Sequence, residues 1–256
     1  MNDKENKDKR LYVQIKKIYD VNYQKYGSPR ITIAINNQIY GTLDIRINHK
    51  RIERIMAKYG LKARPKRRKY ISYKGTIGKT APNVLNRNFD ATGPYQKLGT
   101  DLTVFITNYG KVYLSPIIDF YTREILAYDL SETPDYRQIT RMLENLENKH
   151  KDILSGAIIH SDQGWQYQMP KYREKLKELS ITQSMSRKGN CLDNSPTENF
   201  FGRMKEEMFY GKEHLYNNME SLKAAIKEYI SYYNSKRIVF KLKMSPIEYR
   251  TKHQTI

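Results

Sequence analysis

A chain of 256 residues with 39% hydrophobic and 29% charged residues is long enough for one sizeable core and a smaller module, and its composition excludes a disordered protein. The sequence has no run of about 18 apolar residues and no apolar leader, so we expect neither a membrane span nor a secretory signal. The single cysteine, Cys191, excludes an internal disulfide and a cysteine-based zinc site. We therefore expect a reducing, cytoplasmic setting.

The net charge of +19 is concentrated in the first part of the chain. Residues 1–100 carry 16 of these net positive charges, and residues 61–70 carry six. A basic first part joined to a nearly neutral remainder predicts a nucleic-acid-binding module attached to a separate catalytic or functional domain. The alternatives are a solubilising surface and a tail that contacts the ribosome or a membrane. The residues of this cluster that we expect to contact DNA phosphates are Lys62, Arg64, Lys66, Arg67, Arg68 and Lys69.

Residues 1–60 are predicted to form a small all-α module. Apolar residues recur at helical spacing from Leu11 onward, and Tyr26-Gly27 is expected to stop this first helix. Ser28-Pro29 supplies an N-cap and a first-turn proline for a second helix, and Asn48 caps a third helix that ends at Gly60. Compact helices with a basic last member are typical of a helix-turn-helix DNA-binding module. The alternative is a plain helical bundle that supports the next domain.

Residues 61–95 are predicted to be a basic linker. After the lysine and arginine cluster they are rich in glycine, proline, threonine and asparagine, and they show little periodicity. Such a segment either lies along DNA phosphates or serves as a flexible tether, and the sequence favours neither.

Residues 96–256 show the pattern of an α/β domain. Apolar, β-branched runs separated by short turns predict an antiparallel meander, which is followed by alternating helices and strands. The predicted order β-β-β-α-β-α-β-α fits a mixed five-stranded sheet flanked by helices. The predicted strands are 98–107, 112–119, 124–130, 156–161 and 181–184, and the predicted helices are 136–150, 172–179, 195–210, 221–233 and one that begins at 245.

Three acidic residues stand where a carboxylate is difficult to explain structurally. Asp101 lies inside an apolar run, Asp162 ends a predicted strand, and Glu198 opens an amphipathic helix. Each has an ordinary explanation: a solvent-facing strand position, an Asp-Gln-Gly turn, and a capping box formed with Ser195. Brought together, the three would form an all-oxygen pocket suited to Mg²⁺. In a strongly basic chain, such a pocket indicates phosphodiester chemistry on nucleic acid.

Neighbouring residues add to this hypothesis. Lys205 follows Glu198 by nearly two helical turns, so it would present a cation to a DNA phosphate on the same helix face, unless it is an exposed charge paired with a nearby glutamate. His160 either orients groups around Asp162 or is a satisfied core histidine. Trp165 and Tyr167 either stack on a terminal base or belong to the core.

The chain resembles the integrase-type insertion-sequence transposases, whose catalytic core is an aspartate-aspartate-glutamate (DDE) triad. The matching motifs are residues 100–103, 160–167 and 193–201, with 35 residues between Asp162 and Glu198. Lys205, residues 26–30 and the later Tyr233-Asn234, Arg237, Ser245-Pro246 and Tyr249 also match, so the resemblance covers nearly the whole chain. Leu98 departs from the pattern, because many members have tryptophan there. Related active enzymes are often longer and carry an upstream helix-turn-helix and coiled-coil segment.

The resemblance implies a ribonuclease-H-like fold with Asp101, Asp162 and Glu198 as catalytic and metal-binding residues. Two Mg²⁺ ions, for which Mn²⁺ could substitute, would sit about 3.5–4 Å apart, with Asp101 bridging them. Water would first free a 3′-OH at an element end, and that 3′-OH would then attack a second phosphodiester.

The expected partners are double-stranded DNA, as element ends and target, and further copies of the chain. The chain acts either alone or as part of a fusion with an upstream helix-turn-helix protein, in the cytoplasm of a bacterium and in contact with its nucleoid. Two other hypotheses remain beside strand transfer: a nuclease of the same fold that cuts without joining, and a non-catalytic DNA-binding regulator.

Overall fold

The computed structural model describes residues 3–39, 46–63, 80–187 and 194–253. Of the basic cluster only Lys62 is among them. The other five predicted phosphate contacts lie outside the described residues, as do Cys191 and residues 64–79 of the predicted linker.

Three helices form the amino-terminal part: α1 (Asp3–Val21), α2 (Ser28–Ile39) and α3 (His49–Lys58). Together with Ile238, from the segment after the last long helix, they enclose a small core that includes Ile15, Ile31 and Ile52. The predicted cap of α3 is present, since the Asn48 side chain accepts a hydrogen bond from the backbone N–H of Lys50. The predicted end of α1 at Tyr26-Gly27 is wrong. The helix ends at Val21 because the next turn runs through two left-handed residues, Tyr23 (φ 56°) and Gln24 (φ 58°).

A mixed sheet forms the centre of the second part. Its strands are β1 (Lys97–Thr100), β2 (Thr103–Thr107), β3 (Gly110–Asp119), β4 (Ile125–Ser131), β5 (Ile158–Ser161) and β6 (Thr182–Met185). β3 pairs antiparallel with β1, β2 and β4, whereas β5 pairs parallel with both β1 and β6. The spatial order is therefore β4, β3, β1 with β2, β5 and β6.

β1 and β2 are two halves of one strand. Leu98 pairs with Asp119 and Thr103 pairs with Leu114, so both halves follow one continuous register along β3. That register sets Pro116 opposite Asp101, and proline has no backbone N–H to give to the ladder. The strand is interrupted there. The prediction of a five-stranded sheet is therefore confirmed, with its first strand broken at one place.

Helices cover both faces of the sheet. The helices of this part are α4 (Tyr136–His150), α5 (Pro170–Glu178), α6 (Ser195–Met204), α7 (Met219–Ser235) and α8 (Pro246–His253), with a π-helix at Lys205–Phe209 and 3-10 turns at Lys151–Ile153, Trp165–Gln168 and Glu213–Leu215. Residues of α4 and α5 pack with Leu98 and Ile159 on one face, and residues of α6 and α7 pack with Phe105 and Leu114 on the other. None of the described helices is long and apolar enough to cross a membrane.

Part of the predicted linker is packed against the sheet. Within residues 80–95, Leu85 is buried in the core on the α6 side. The backbone N–H of Val84 donates to Ser184 Oγ (2.9 Å), and that of Met185 donates to the carbonyl of Pro82 (3.2 Å). These contacts cover the outer edge of β6. The boundaries drawn between module, linker and core remain predictions.

Candidate active site

Asp101 lies at the interruption between β1 and β2. Its Oδ1 accepts a hydrogen bond from the backbone N–H of Leu102 (2.7 Å), an amide at the break in the strand. The break therefore places this carboxylate near the middle of the sheet, between β3 and β5. Part of its surface is open to solvent, although the carboxyl is closely surrounded by protein atoms.

Asp162 directly follows β5, the parallel neighbour of β1. Lys97 pairs with Ile158 and Gly99 with His160, and continuing this register by two residues leads to Asp101 beside Asp162. Adjacent strands lie about 4.7–4.9 Å apart, so the two aspartates are close neighbours. The ordinary turn that the sequence suggested is also present, because Asp162 Oδ1 accepts from the backbone N–H of Gly164 (2.8 Å).

Glu198 lies in the first turn of α6, and this helix packs tightly on β1. A Cβ added at Gly99 would lie 2.7 Å from Thr197 Oγ1 and would also collide with the Phe120 ring. Glycine at this position lets the start of α6 approach the strand that leads to Asp101. Glu198 is exposed as a whole residue, although protein atoms partly surround its carboxyl group.

The capping-box explanation of Glu198 does not describe this helix. Asn194, not Ser195, occupies the N-cap position, and its side chain makes no capping hydrogen bond within the described residues. Ser195 is already the first helical residue, so it is not the partner that a capping box requires. The position of Glu198 in the first helical turn therefore needs another reason.

The three carboxyl groups influence one another electrostatically. Burial raises the pKa of Asp101 well above its ordinary value, and the negative charges of Asp162 and Glu198 raise it further, whereas the Leu102 N–H and Lys205 lower it. Burial, followed by the charge of Asp162, also raises the pKa of Glu198. The pKa of Asp162 is raised by burial against the hydrogen bond from Gly164. Three acids that disfavour one another's ionisation form a site that a cation would stabilise.

The donor set fits a hard divalent cation, but the three side chains do not converge on one metal position. Two aspartates and a glutamate provide only carboxylate oxygens, the ligands that Mg²⁺ prefers. Across the described ranges, no group of three Asp, Glu, His or Cys side chains is arranged to hold a metal ion. Asp101 and Asp162 directly follow the adjacent strands β1 and β5, whereas the exposed Glu198 lies in the first turn of α6.

Lys205 is buried and does not project into solvent. Its Nζ donates to the carbonyl oxygen of Val104 (2.8 Å) in β2 and lies 5.2 Å from the centre of the Phe105 ring. Burial lowers the pKa of Lys205 to about 8, against the attraction of Asp101. An exposed pair with a neighbouring glutamate, the ordinary alternative, is therefore wrong. The predicted contact with DNA stays a prediction.

The other residues near Asp162 divide between the core and the surface. The Nδ1 atom of His160 lies 2.8 Å from Ser184 Oγ, which connects this buried ring to β6. Tyr167 is fully buried and packs edge-on against Tyr172, so it belongs to the core. Trp165 is 43% exposed at the start of the 3-10 turn that follows Asp162.

Two features of the site were missed by sequence reasoning. Gly99 is one, although a glycine inside an apolar strand run is a signal for a close approach. The other is a buried ion pair in which Arg237 donates through Nε to Glu207 Oε2 (2.7 Å), an oxygen that also accepts from the Tyr229 hydroxyl (2.7 Å). In the sequence, Arg237 stands out only as part of a matching motif.

Comparison with known proteins identifies the family. Family models described as "Integrase core domain" match residues 91–191 and 198–253, and one described as "HTH-like domain" matches residues 5–69. The "Putative transposase InsK for insertion sequence element IS150" of Escherichia coli (strain K12) is 47% identical over 93% of this chain and 81% of that protein. The chain belongs to the integrase-type insertion-sequence transposases. An "Uncharacterized transposase-like protein" of Haemophilus influenzae is 52% identical to this transposase, and the match covers 81% of this chain and 94% of the Haemophilus protein.

Solved structures confirm the fold of this transposase. The catalytic core domain of HTLV-2 integrase, in complex with magnesium, matches with a TM-score of 0.50 at 13% identity, over 63% of this chain and 99% of that chain. A chain of a simian T-cell lymphotropic virus intasome matches with a TM-score of 0.56 at 12% identity, and the match covers 89% of this chain and 76% of that chain. The ribonuclease-H-like fold and the helix-turn-helix-like module are thus confirmed. So is the enzyme class, a DDE polynucleotidyl transferase.

Proposed function

We propose that this transposase cuts and joins DNA at the ends of an insertion sequence with Asp101, Asp162 and Glu198 as its catalytic residues. The observation that carries the proposal is the register of β1 and β5, which leads to Asp101 beside Asp162. The close packing of α6 on Gly99 supports the inclusion of Glu198. The mutual effects of the three carboxyl groups on their pKa values are consistent with one shared site.

Mg²⁺ is the proposed cofactor, with Mn²⁺ as a substitute. Two such ions, held by the three carboxylates, would supply charge neutralisation at the scissile phosphate and would activate the attacking oxygen and stabilise the leaving oxygen. Asp101, which lies beside Asp162 where β1 and β5 end, would hold the ions together with Asp162. Asp162 and Glu198 would each hold one side of the site.

The proposed reaction exchanges one phosphodiester bond for another. Water attacks a phosphate at the element end, the P–O bond to the 3′ oxygen breaks, and the products are a 3′-OH and a 5′-phosphate. The 3′-OH then attacks a second phosphodiester, which joins the strands and releases a new 3′-OH. No side chain of the protein forms a covalent bond to DNA in either step.

DNA binding is assigned to the amino-terminal part of the chain. The helix-turn-helix-like module would hold the element end, and Lys62, with the basic residues that follow it, would contact phosphates. The buried position of Lys205 supports a role behind Asp101, where its charge would balance the acids, and a phosphate contact would require it to leave Val104. Two element ends must be brought together, so the active form would be a multimer on DNA. In this proposal the chain acts either alone or as part of a fusion with an upstream helix-turn-helix protein.

A strand-transfer assay tests this proposal. The purified chain is incubated with Mg²⁺ and a duplex that carries the element end, and the products are separated by size. Joined DNA supports the transposase, cut DNA alone supports a nuclease of the same fold, and a mobility shift alone supports a regulator. Asp162→Asn should abolish cutting and joining while DNA binding is kept, and Asp152→Asn, at an exposed aspartate in a 3-10 turn, is the matched control.

A further inference from the structure

The helix that carries Glu198 changes its geometry where three consecutive charged residues begin. After Met204, α6 continues as a π-helix that begins with Lys205, Glu206 and Glu207. All three are buried, at 8%, 6% and 4% exposure. A π-helical turn is uncommon and frequently marks a functional site. Burying three charged residues in a row requires a partner for each of them.

The three side chains reach three different parts of the molecule. Lys205 donates to the carbonyl of Val104 in β2, next to the interruption that carries Asp101. Glu207 is held by Arg237, which follows α7. Glu206 accepts from Lys25 Nζ (3.1 Å), in the turn between α1 and α2, and the side chains of this ion pair are only 7% and 12% exposed. One helical turn thus connects the candidate active site with the amino-terminal module.

The segment around Lys25 is held in place on both sides. Tyr23 packs edge-on against Tyr232 of α7 (5.5 Å between ring centres), and Lys212 Nζ lies 4.6 Å from the centre of the Tyr23 ring. The backbone N–H of Ile238 donates to the Tyr26 hydroxyl (2.6 Å). A movement of the amino-terminal helices would therefore pull directly on the Lys25–Glu206 pair and on α7.

We propose that the Lys25–Glu206 ion pair is a positioning contact through which the helix-turn-helix-like module sets the placement of Glu198 and Lys205 for DNA cutting. Glu198 and Glu206 belong to one uninterrupted helical segment. At a rise of about 1.5 Å per residue, they lie about 12 Å apart along its axis. A displacement of the module at Glu206 is thus carried along this helix to Glu198. The inference rests on the proposed function, because it concerns the same acids.

Separate measurement of DNA binding and of cutting tests this inference. Glu206→Gln and Lys25→Met each break the ion pair with little change of shape, and the exchange Lys25→Glu with Glu206→Lys restores it with reversed polarity. With the full chain and a duplex carrying the element end, each single variant should cut about 10- to 100-fold more slowly in a single turnover, since small misplacements cost this much. The Kd for the duplex should change less than about twofold, and the exchanged pair should recover most of the rate.

The control breaks another inter-element ion pair. Lys223→Met removes the pair between α7 and Glu132 (2.6 Å), which includes no residue of the π-helix or of the amino-terminal module, and should leave the rate unchanged. Single variants that cut as fast as the wild type would overturn the inference, as would a loss of rate matched by an equal loss of DNA binding without rescue in the exchanged pair. A wild-type chain that does not cut would instead overturn the proposed function. Thermal unfolding of each variant verifies that it is folded.

Discussion

Thr197 Oγ1 lies 2.7 Å from the point where a Cβ on Gly99 would stand. Helix α6 can therefore pack this closely on β1 only because residue 99 has no side chain. This contact is the main support for placing Glu198 near the two aspartates. It also makes residue 99 the most direct point at which to disturb the triad without touching any of its acids.

Gly99→Ala should impair cutting and destabilise the fold. The added methyl group would collide with Thr197 and with the Phe120 ring, and overpacking of this kind costs about 1–3 kcal/mol. The free energy of unfolding is measured with urea, and the cutting rate is measured on the folded protein. Gly202→Ala, in α6 with no atom within 4 Å of the new Cβ, is the matched control and should be neutral or slightly stabilising. Equal behaviour of the two variants would show that α6 does not depend on this contact.

Glu207→Gln should strongly destabilise the protein at neutral pH. It leaves the Arg237 guanidinium, which is 1% exposed, without its carboxylate, and removing one partner of a buried pair costs about 3–5 kcal/mol. Chemical denaturation measures the loss, and Glu220→Gln, at a surface pair with Lys223, is the control. A loss below about 1 kcal/mol would contradict the geometry of this pair.

The same glutamate should contribute to acid sensitivity. Burial raises the pKa of Glu207, but the hydrogen bonds and charge of Arg237 outweigh it, so the pKa lies below the ordinary value of 4.5. A carboxyl with a lowered pKa contributes stability above its unfolded pKa, and that stability is lost as the pH falls through the folded pKa. Unfolding followed from pH 7 downward should show a smaller acid loss in Glu207→Gln than in the wild type. Parallel curves would contradict the assignment.

Lys205 should give a second pH dependence of the same sign, in the alkaline range. Burial lowers its pKa from 10.5 to about 8. Between these values the unfolded chain holds a proton that the folded chain lacks, so the stability of the free protein should rise with pH across this window. The rise, on the order of 3 kcal/mol at most, should be missing from Lys205→Met. If both proteins show the same dependence between pH 8 and 10.5, Lys205 is not buried as described.

The basic cluster should control the salt dependence of DNA binding. Replacing Lys66, Arg67 and Arg68 with glutamine should weaken binding and reduce the slope of log K against log salt by about 0.9 for each lost phosphate contact. Binding is measured by titration at several salt concentrations. Replacing three exposed lysines of α4 and α5, Lys149, Lys171 and Lys177, is the control for the loss of net charge alone. An unchanged slope in the triple variant would remove the cluster from the DNA interface.

Local patterns in the sequence were sufficient for most of the elements but not for the interruption of the first strand. Alternating apolar residues predicted one strand over 98–107, and both of its halves do follow one register along β3. The break at Asp101 depends on Pro116, which comes to lie opposite it only when the strands pair. Such a pairing between distant residues has no trace in the local periodicity.

The helix over 195–210 shows the same limit. Its existence and its end near Tyr210 were predicted, but the π-helical turn within it was not. Lys205 and the two glutamates after it have the composition of a solvated face, and their partners Lys25 and Arg237 are supplied by remote segments. Charged residues are buried where the fold brings a counter-charge, and this information is not local. The triad itself could be predicted because each of its acids lies in a short sequence motif that matches the family.

The exposed indole next to Asp162 has a practical consequence. Trp165 is the only tryptophan of the chain, so all of its intrinsic indole fluorescence comes from a position three residues from a proposed metal ligand. Emission from the unlabelled protein should therefore report ion or DNA occupancy at this point directly, and quenching by a soluble agent should fall when the ring is covered.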